Sequence, residues 1–197
     1  MLAKRLFDLF SSLVGLILLM PILSLVALLI KIDSKGPVIF KQKRLGKGGL
    51  VFNIYKFRTM KQSKPGSQSL TIKNDPRVTR MGKKLRKMKL DELPQLFNVV
   101  RGEMSLVGPR PESIDLIKYW PIQSRIKIQS IRPGITDNAS IIYKDESKLL
   151  RNGHDAIERY RKEILPKKIK LYEEYIDSRS FLNDIKIILQ TLLKIIQ

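Results

Sequence analysis

Residues 9–30, LFSSLVGLILLMPILSLVALLI, carry no charge over 22 positions. At ~1.5 Å per residue, a straight helix of that length covers a hydrocarbon core of ~30 Å. Nothing else in the chain restricts its fold so strongly, because a helix that is apolar on every face must be buried in protein or in lipid. A secretory leader fits poorly: the run is too long, and no small-x-small cleavage site leads into a mature domain. Two details argue against simple crossing. Pro21 sits near the middle, where its missing N–H and its ring bend a helix. Lys4 and Arg5 precede the run, and Lys31, Lys35, Lys41, Lys43 and Arg44 follow it. Short basic flanks favour the cytoplasmic side, and here both flanks are basic. The expected arrangement is a re-entrant helix that breaks at Pro21 and returns; a kinked spanning helix is the alternative. Asp8, three residues after Arg5, is expected to pair with it at the membrane surface.

The chain of 197 residues has a net charge of +20. Between positions 31 and 90 there are eighteen Lys and Arg residues against two acids, Asp33 and Asp75. Such a field draws in polyanions: nucleic acid, anionic lipid headgroups or phosphorylated substrates. The absence of cysteine excludes disulfides and thiolate metal sites. A single histidine, His154, supports neither a His-rich metal site nor an ordinary Ser-His-Asp triad, and is read as a surface or packing residue. Chemistry therefore falls to carboxylates, hydroxyls and cations.

Beyond the apolar run, residues 38–40 and 50–60 read as short strands around the turn Gly46-Lys47-Gly48-Gly49. The glycine spacing matches neither a dinucleotide fingerprint nor a P-loop. KQSKPGSQS reads as an exposed loop, and DPRVTRMGKKLRKMKL as an Asp-Pro turn leading into a basic helix whose Lys83, Lys84 and Lys87 are solvated. In LDELPQLFNVV, Leu93, Leu96, Phe97 and Val100 share one helical face. Pro94 is tolerated only in a first turn, so the helix is expected to start near Asp91. RGEMSLVGPRPES reads as a loop and IRPGIT as a tight turn. Residues 154–175 read as helix interrupted at Pro166. Ser180 is the expected cap of a last helix whose stripe, Phe181, Ile185, Ile188, Leu189, Leu192 and Ile196, packs on the core or lies in a membrane interface.

Asp91 and Glu92 stand together at the end of the basic segment. At a helix N-terminus the macrodipole, with Arg86, Lys87 and Lys89, favours ionised Asp91. The plain reading is an N-cap. Two adjacent carboxylates exceed what a cap needs, and a magnesium ion shared with a phosphate would relieve their repulsion. Spacing alone leaves both readings open.

Three segments, QKRLGKGGLVFNIYKFRTM, DPRVTRMGKKLRKMKLDELPQLFNVVRGEMSLVGPRPE and RPGIT, resemble in order the bacterial sugar transferases. These are the monotopic polyprenol-phosphate phosphoglycosyl transferases, and the resemblance is to their short form, over nearly the whole chain. It implies an α+β, mostly α fold. Residues 1–34 would form a re-entrant membrane helix. Residues 35–197 would form a small catalytic domain on the cytoplasmic face of the bacterial inner membrane, with a short β-hairpin and amphipathic interface helices. It implies transfer of a phosphosugar from a UDP-sugar to polyprenol (undecaprenyl) phosphate, giving UMP, as the first membrane step of glycan assembly. Asp91 would attack the β-phosphate and carry the phosphosugar. Glu92 would assist with the metal or with the incoming polyprenol phosphate, and Mg2+, held by Asp91 and Glu92, would offset phosphate charge. Arg86, Arg110, Lys56, Arg58 and Thr59 would bind substrate; a guanidinium fork suits a phosphate. Anionic lipid is an implied partner, downstream glycosyltransferases are candidate ones, and nucleic acid is not.

The chain departs from the family pattern in two places. Met20, where serine is common, precedes the kink Pro21. Asp137 and Asn138 replace small and apolar residues, and are expected to influence the choice of sugar. The competing reading is a non-enzymatic basic binding or scaffold protein at the membrane. It explains the charge but not Asp91 and Glu92 together with Arg110, and no nucleic-acid-binding motif is visible.

Overall fold

The computed structural model describes residues 2–61, 75–144, 146–150 and 155–196. Nearly all of KQSKPGSQS, and His154, lie outside them. Helix α1 (Leu2–Asp33) is one segment of 32 residues, long and apolar enough to cross a membrane. Its buried side chains, Asp8, Ser12, Leu16, Leu23, Val26 and Ile30, form one stripe down its length. Leu16, Leu23, Val26 and Ile30 pack with Phe57 and Leu85 of the body. Its other faces present leucine, isoleucine and phenylalanine outward; Leu18 is 71 % exposed.

The break expected at Pro21 is not a break in the helix, which continues through it. A proline removes a single helical hydrogen bond, and the buried stripe holds the chain on both sides of it. Pro21 lies on the exposed face. A proline there favours curvature toward the body, since helices bend convex to the side away from the core.

Both ends of α1 are tied to the same body. Near the start, Lys4 Nζ donates to Asp184 Oδ2 (2.6 Å) and to the Val107 carbonyl (3.2 Å). Asp8 does not pair with Arg5 at a surface. It is buried, accepts from Ser105 Oγ at 2.7 Å, and has Lys4 Nζ at 3.9 Å. Arg5 reaches instead toward the Val100 and Met104 carbonyls. At the far end Arg58 donates to the carbonyls of Ser34 (2.6 Å), Lys35 (2.7 Å) and Ile30 (3.4 Å). Carbonyls at a helix C-terminus have no partner within the helix, and this guanidinium supplies one.

Strands β1 (Ile39–Leu45) and β2 (Val51–Phe57) form the expected antiparallel hairpin, with Lys41 opposite Tyr55. The first strand is longer than its apolar residues suggest, because Lys41, Lys43 and Arg44 belong to it. The second stops at Phe57. The turn uses left-handed backbone at Gly48 (φ 66°) and Gly49 (φ 74°). Helix α2 (Arg80–Lys87) is capped by Thr79 Oγ1, which accepts from the Gly82 amide at 2.9 Å. Lys83, Lys84 and Lys87 are exposed, as read.

A 3-10 turn, Leu90–Glu92, precedes α3 (Gln95–Val100). Leu93, Leu96 and Val100 share one packed side, which meets α1, whereas Phe97, expected on the same face, is exposed. Strand β3 (Ser105–Val107), helices α4 (Ile114–Ile117) and α5 (Ile122–Gln129), and strand β4 (Gly134–Thr136) follow. β3 and β4 pair in parallel, Ser105 with Gly134 and Val107 with Thr136. The sequence reads as loop and turn at these positions, because strands of three residues are too short to show an alternation.

Helices α6 (Asn138–Ile142), α7 (Glu146–Leu149) and α8 (Asp155–Arg159) lead to a π-helical turn, Tyr160–Ile164, and then α9 (Leu165–Asp177). The interruption expected at Pro166 is not a break: the chain stays helical from 155 to 177, and the π-helical turn directly before Pro166 is the local change in winding there. The main core gathers Trp120, Tyr160, Leu165 and Tyr172. Helix α10 (Phe181–Ile196) starts at Ser180, whose Oγ accepts from the Asn183 amide at 3.2 Å. Its expected stripe does not pack as a unit. Asp184 and Ile187 are buried, while Phe181, Leu189 and Leu192 are exposed. Asp184 sets this rotation, because Lys4 and Tyr175 Oη (2.7 Å) hold its carboxylate inward. Phe181 meets Phe7 edge to face at 5.2 Å, so α10 and α1 touch along their apolar sides.

Candidate active site

Lys56 enters the site from β2, and α3 fixes where it stands. The Tyr55 amide donates to Asn98 Oδ1 (3.0 Å), and Asn98 Nδ2 donates to the Asn53 carbonyl (2.7 Å) and to Glu103 Oε2 (2.7 Å). One buried carboxamide thus completes the free edge of β2 as a neighbouring strand would. Lys56 Nζ then lies 3.1 Å from Glu92 Oε1. Arg110, from the loop after β3, grips the same carboxylate with both nitrogens: NH1 to Oε2 at 3.0 Å, and NH2 to Oε1. Arg86 of α2 donates from Nε to Thr59 Oγ1 at 2.8 Å.

Asp91 differs from its neighbour. It is buried, and makes no hydrogen bond or ion pair among the described residues; its Oδ1 is shut away from solvent without a partner. Burial, with the Glu92 charge beside it, pushes its carboxyl above the usual range against the pull of Lys56 and Arg86. Burial also works against the Glu92 charge, but Arg110 and Lys56 outweigh it and hold that carboxyl well below the usual range. Burial lowers Lys56 to about 8 despite Glu92. The pair is one carboxylate saturated with cations and one held ready, the divergence that separates roles in acid pairs.

The expectation that a helix dipole favours ionised Asp91 is corrected here. The α-helix begins only at Gln95 and has six residues, so the axial field at Asp91 is weak and desolvation dominates. Of the residues expected to bind substrate, Lys56 and Arg110 contact Glu92, Arg86 lies near Asp91, and Thr59 is tied to them through Arg86. Arg58 does not join them. β2 ends at Phe57, the strict alternation ends with it, and the Arg58 side chain turns to α1. Asp137 caps α6, accepting from the Ser140 amide (3.0 Å) and Ser140 Oγ (2.6 Å). It is 1 % exposed, so its carboxylate serves a helix end rather than an open sugar site. Sequence reading missed Asn98 and Gln95, both fully buried. The available signal was two amides lying between apolar residues in so short a helix.

The donor set suits one mode of magnesium binding. Among the described residues no three His, Cys, Asp or Glu side chains cluster. Glu92, expected as a metal ligand, is already occupied by Arg110 and Lys56. Asp91 has no such partners. Asp91 would be the protein ligand of a magnesium ion that takes its other ligands from substrate phosphates and water, as this ion commonly binds.

Comparison with known proteins identifies the family. The family model for bacterial sugar transferases matches residues 1–197. An undecaprenyl-phosphate glucose phosphotransferase of Komagataeibacter xylinus is 42 % identical over 199 residues, covering 98 % of this chain and 35 % of that protein. A UDP-glucose:undecaprenyl-phosphate glucose-1-phosphate transferase of Caulobacter vibrioides is 38 % identical, covering 96 % and 68 %. The uncharacterized sugar transferase EpsL of Bacillus subtilis is 35 % identical, covering 100 % and 88 %. The chain thus spans about a third of the Komagataeibacter protein and most of EpsL. Matched from its first residue to its last, with the acid pair and its cations gathered at one place, this chain belongs to the bacterial sugar transferase family.

Proposed function

We propose that this chain transfers a phosphosugar from a UDP-sugar to a polyprenol phosphate, with Asp91 as nucleophile. The observation that carries this is the contrast within the acid pair. A buried, unpartnered carboxylate of raised basicity lies within the field of Lys56, Arg86 and Lys89, and Arg110 grips the neighbouring Glu92. Phosphoryl transfer asks the protein for position and positive charge, and a carboxylate is an accepted covalent carrier. The names of the Komagataeibacter and Caulobacter relatives supply the class of donor and acceptor.

Asp91 attacks the β-phosphorus of the UDP-sugar. The new carboxylate–phosphorus bond forms as the bond to the UMP oxygen breaks, and UMP leaves with that electron pair. A phosphate oxygen of the polyprenol phosphate then attacks the same phosphorus, and the Asp91 carboxylate departs unchanged. Arg110 and Lys56, held in place by Glu92, draw the diphosphate to the nucleophile; Glu92 acts through them. Arg86, oriented by Thr59, approaches from the side of α2. Magnesium, when bound at Asp91, neutralises phosphate charge.

The activity is tested by UMP release from a panel of UDP-sugars, with and without undecaprenyl phosphate. No release from any of them would leave a basic membrane scaffold as the better reading.

The ties at both ends of α1 support a re-entrant or surface-lying placement, with the outward apolar faces of α1 and α10 in lipid, and the basic flanks of α1 favour the cytoplasmic face of the inner membrane. A helix crossing the bilayer would separate its ends by ~30 Å of hydrocarbon. The chain has no cysteine, so Leu2→Cys and Lys35→Cys each give a single probe. In intact cells neither is expected to react with an impermeant maleimide, and both should react after lysis. Labelling of one end from outside would establish a spanning helix.

A further inference from the structure

Gln95 is fully buried, and neither its Nε2 nor its Oε1 has a hydrogen-bond partner. Native proteins rarely keep a buried carboxamide unsatisfied at both ends. It stands four residues after Asp91, whose Oδ1 is also closed off and unpartnered. The backbone between them stays right-handed helical through Leu93 (φ −55°, ψ −34°) and Pro94 (φ −60°, ψ −14°). The turn is of the 3-10 kind, with amides bonded three residues back, so the two side chains do not stack as on an α-helix, but both lie on the buried side of the same short segment. They are complementary in kind: an acceptor oxygen and an N–H donor. Ser12 Oγ, on the stripe of α1 that packs against the body, is a third buried atom without a partner, and as a hydroxyl donor it complements Oε1.

We propose that Gln95 is a positioning residue for Asp91: in the working enzyme its Nε2–H holds Oδ1, leaving Oδ2 as the one oxygen free to attack phosphorus. This rests on the function proposed above. A carboxylate free to rotate offers either oxygen in many orientations, and a misplacement of ~1 Å at a reacting centre costs as much as a hundredfold in rate. Substrate binding beside Asp91 is the event that draws the two groups together. No proton moves and no bond of Gln95 is made or broken in the reaction.

The test compares wild type, Gln95→Leu and Gln95→Met in single-turnover UMP release without polyprenol phosphate, together with thermal unfolding of the full chain in detergent. The expected result for both variants is a Tm equal to or above that of wild type, since an unsatisfied amide leaves the interior. The rate constant of the burst should fall by about tenfold to a hundredfold, with its amplitude and the KM for the UDP-sugar little changed. A merely structural glutamine gives the reverse, a lower Tm with an unchanged burst rate. That result, or failure of both variants to fold, would overturn the assignment. A wild-type enzyme that releases no UMP without the acceptor would overturn the covalent reading instead, and is recognised before any variant is made.

Discussion

Asp91→Asn is expected to lower UMP release by about a thousandfold or more, the scale on which loss of a covalent nucleophile is felt. The amide is a poor nucleophile and a weaker metal ligand, yet it has nearly the same shape. Because the Asp91 carboxylate makes no hydrogen bond or ion pair among the described residues, its replacement breaks no structural contact there. The variant should therefore fold and still bind the UDP-sugar through Lys56, Arg86 and Arg110. Wild type, mixed with its UDP-sugar and magnesium but no polyprenol phosphate, should release at most about one UMP per enzyme, as the first half of a ping-pong reaction does. Intact-protein mass spectrometry should then show a phosphosugar adduct on the peptide containing Asp91, absent from Asp91→Asn. A direct single displacement gives a different pattern: no adduct, no UMP until the acceptor is added, and kinetics that require both substrates together. That pattern would remove Asp91 as nucleophile.

Gly134→Ala is expected to destabilise the protein by about 3 kcal/mol or more, at the upper end of overpacking effects, and to abolish most activity in the protein that still folds. A Cβ on Gly134 would stand 2.1 Å from the Gly108 amide nitrogen and 2.4 Å from its carbonyl oxygen. These are backbone atoms of the residue that follows β3, and no rotamer change relieves the clash. The Gly134 amide also donates to the Pro109 carbonyl (3.0 Å), and the Gly108 amide to Thr136 (3.1 Å), so separating the strands breaks bonds as well. Arg110 lies two residues beyond Gly108, and its displacement would deprive Glu92 of its bidentate partner. The control is Gly48→Ala. Gly48 has a positive φ of 66° but nothing within 4 Å of the added carbon, so the cost there is only the ~1–2 kcal/mol of left-handed backbone. Chemical denaturation in detergent and the KM for the UDP-sugar measure both effects. Wild-type stability and KM in Gly134→Ala would show that the two strands can part freely.

What was legible in the chain before any fold is known follows from rules with short reach. Twenty-two uncharged positions require a long buried or lipid-facing helix, and α1 is that helix. Gly48 and Gly49 between apolar runs mark the hairpin turn, because few other residues adopt positive φ. Ser180 caps α10 because its hydroxyl needs only the amide three residues on. The acid pair in a basic segment left an N-cap and a phosphate site both open, and the resemblance chose the second and named Asp91 within it. Other properties depend on residues far apart in the chain, and only the tertiary structure decided them. Arg58 faces α1 rather than the substrate because Ser34 and Lys35 are brought beneath it. The exposed face of α10 is set by Lys4, 180 residues from the Asp184 it binds. Asp91 becomes more basic, and Glu92 less, although they are adjacent and chemically alike. Arg110 and Lys56 converge on one carboxylate, and burial without a partner is left to the other. Local sequence determines where a helix or turn can form, since caps, glycine and apolar spacing act within one or two turns. The charge state and orientation of a buried group depend on what the fold packs around it, and desolvation and ion pairing are set by distance in space.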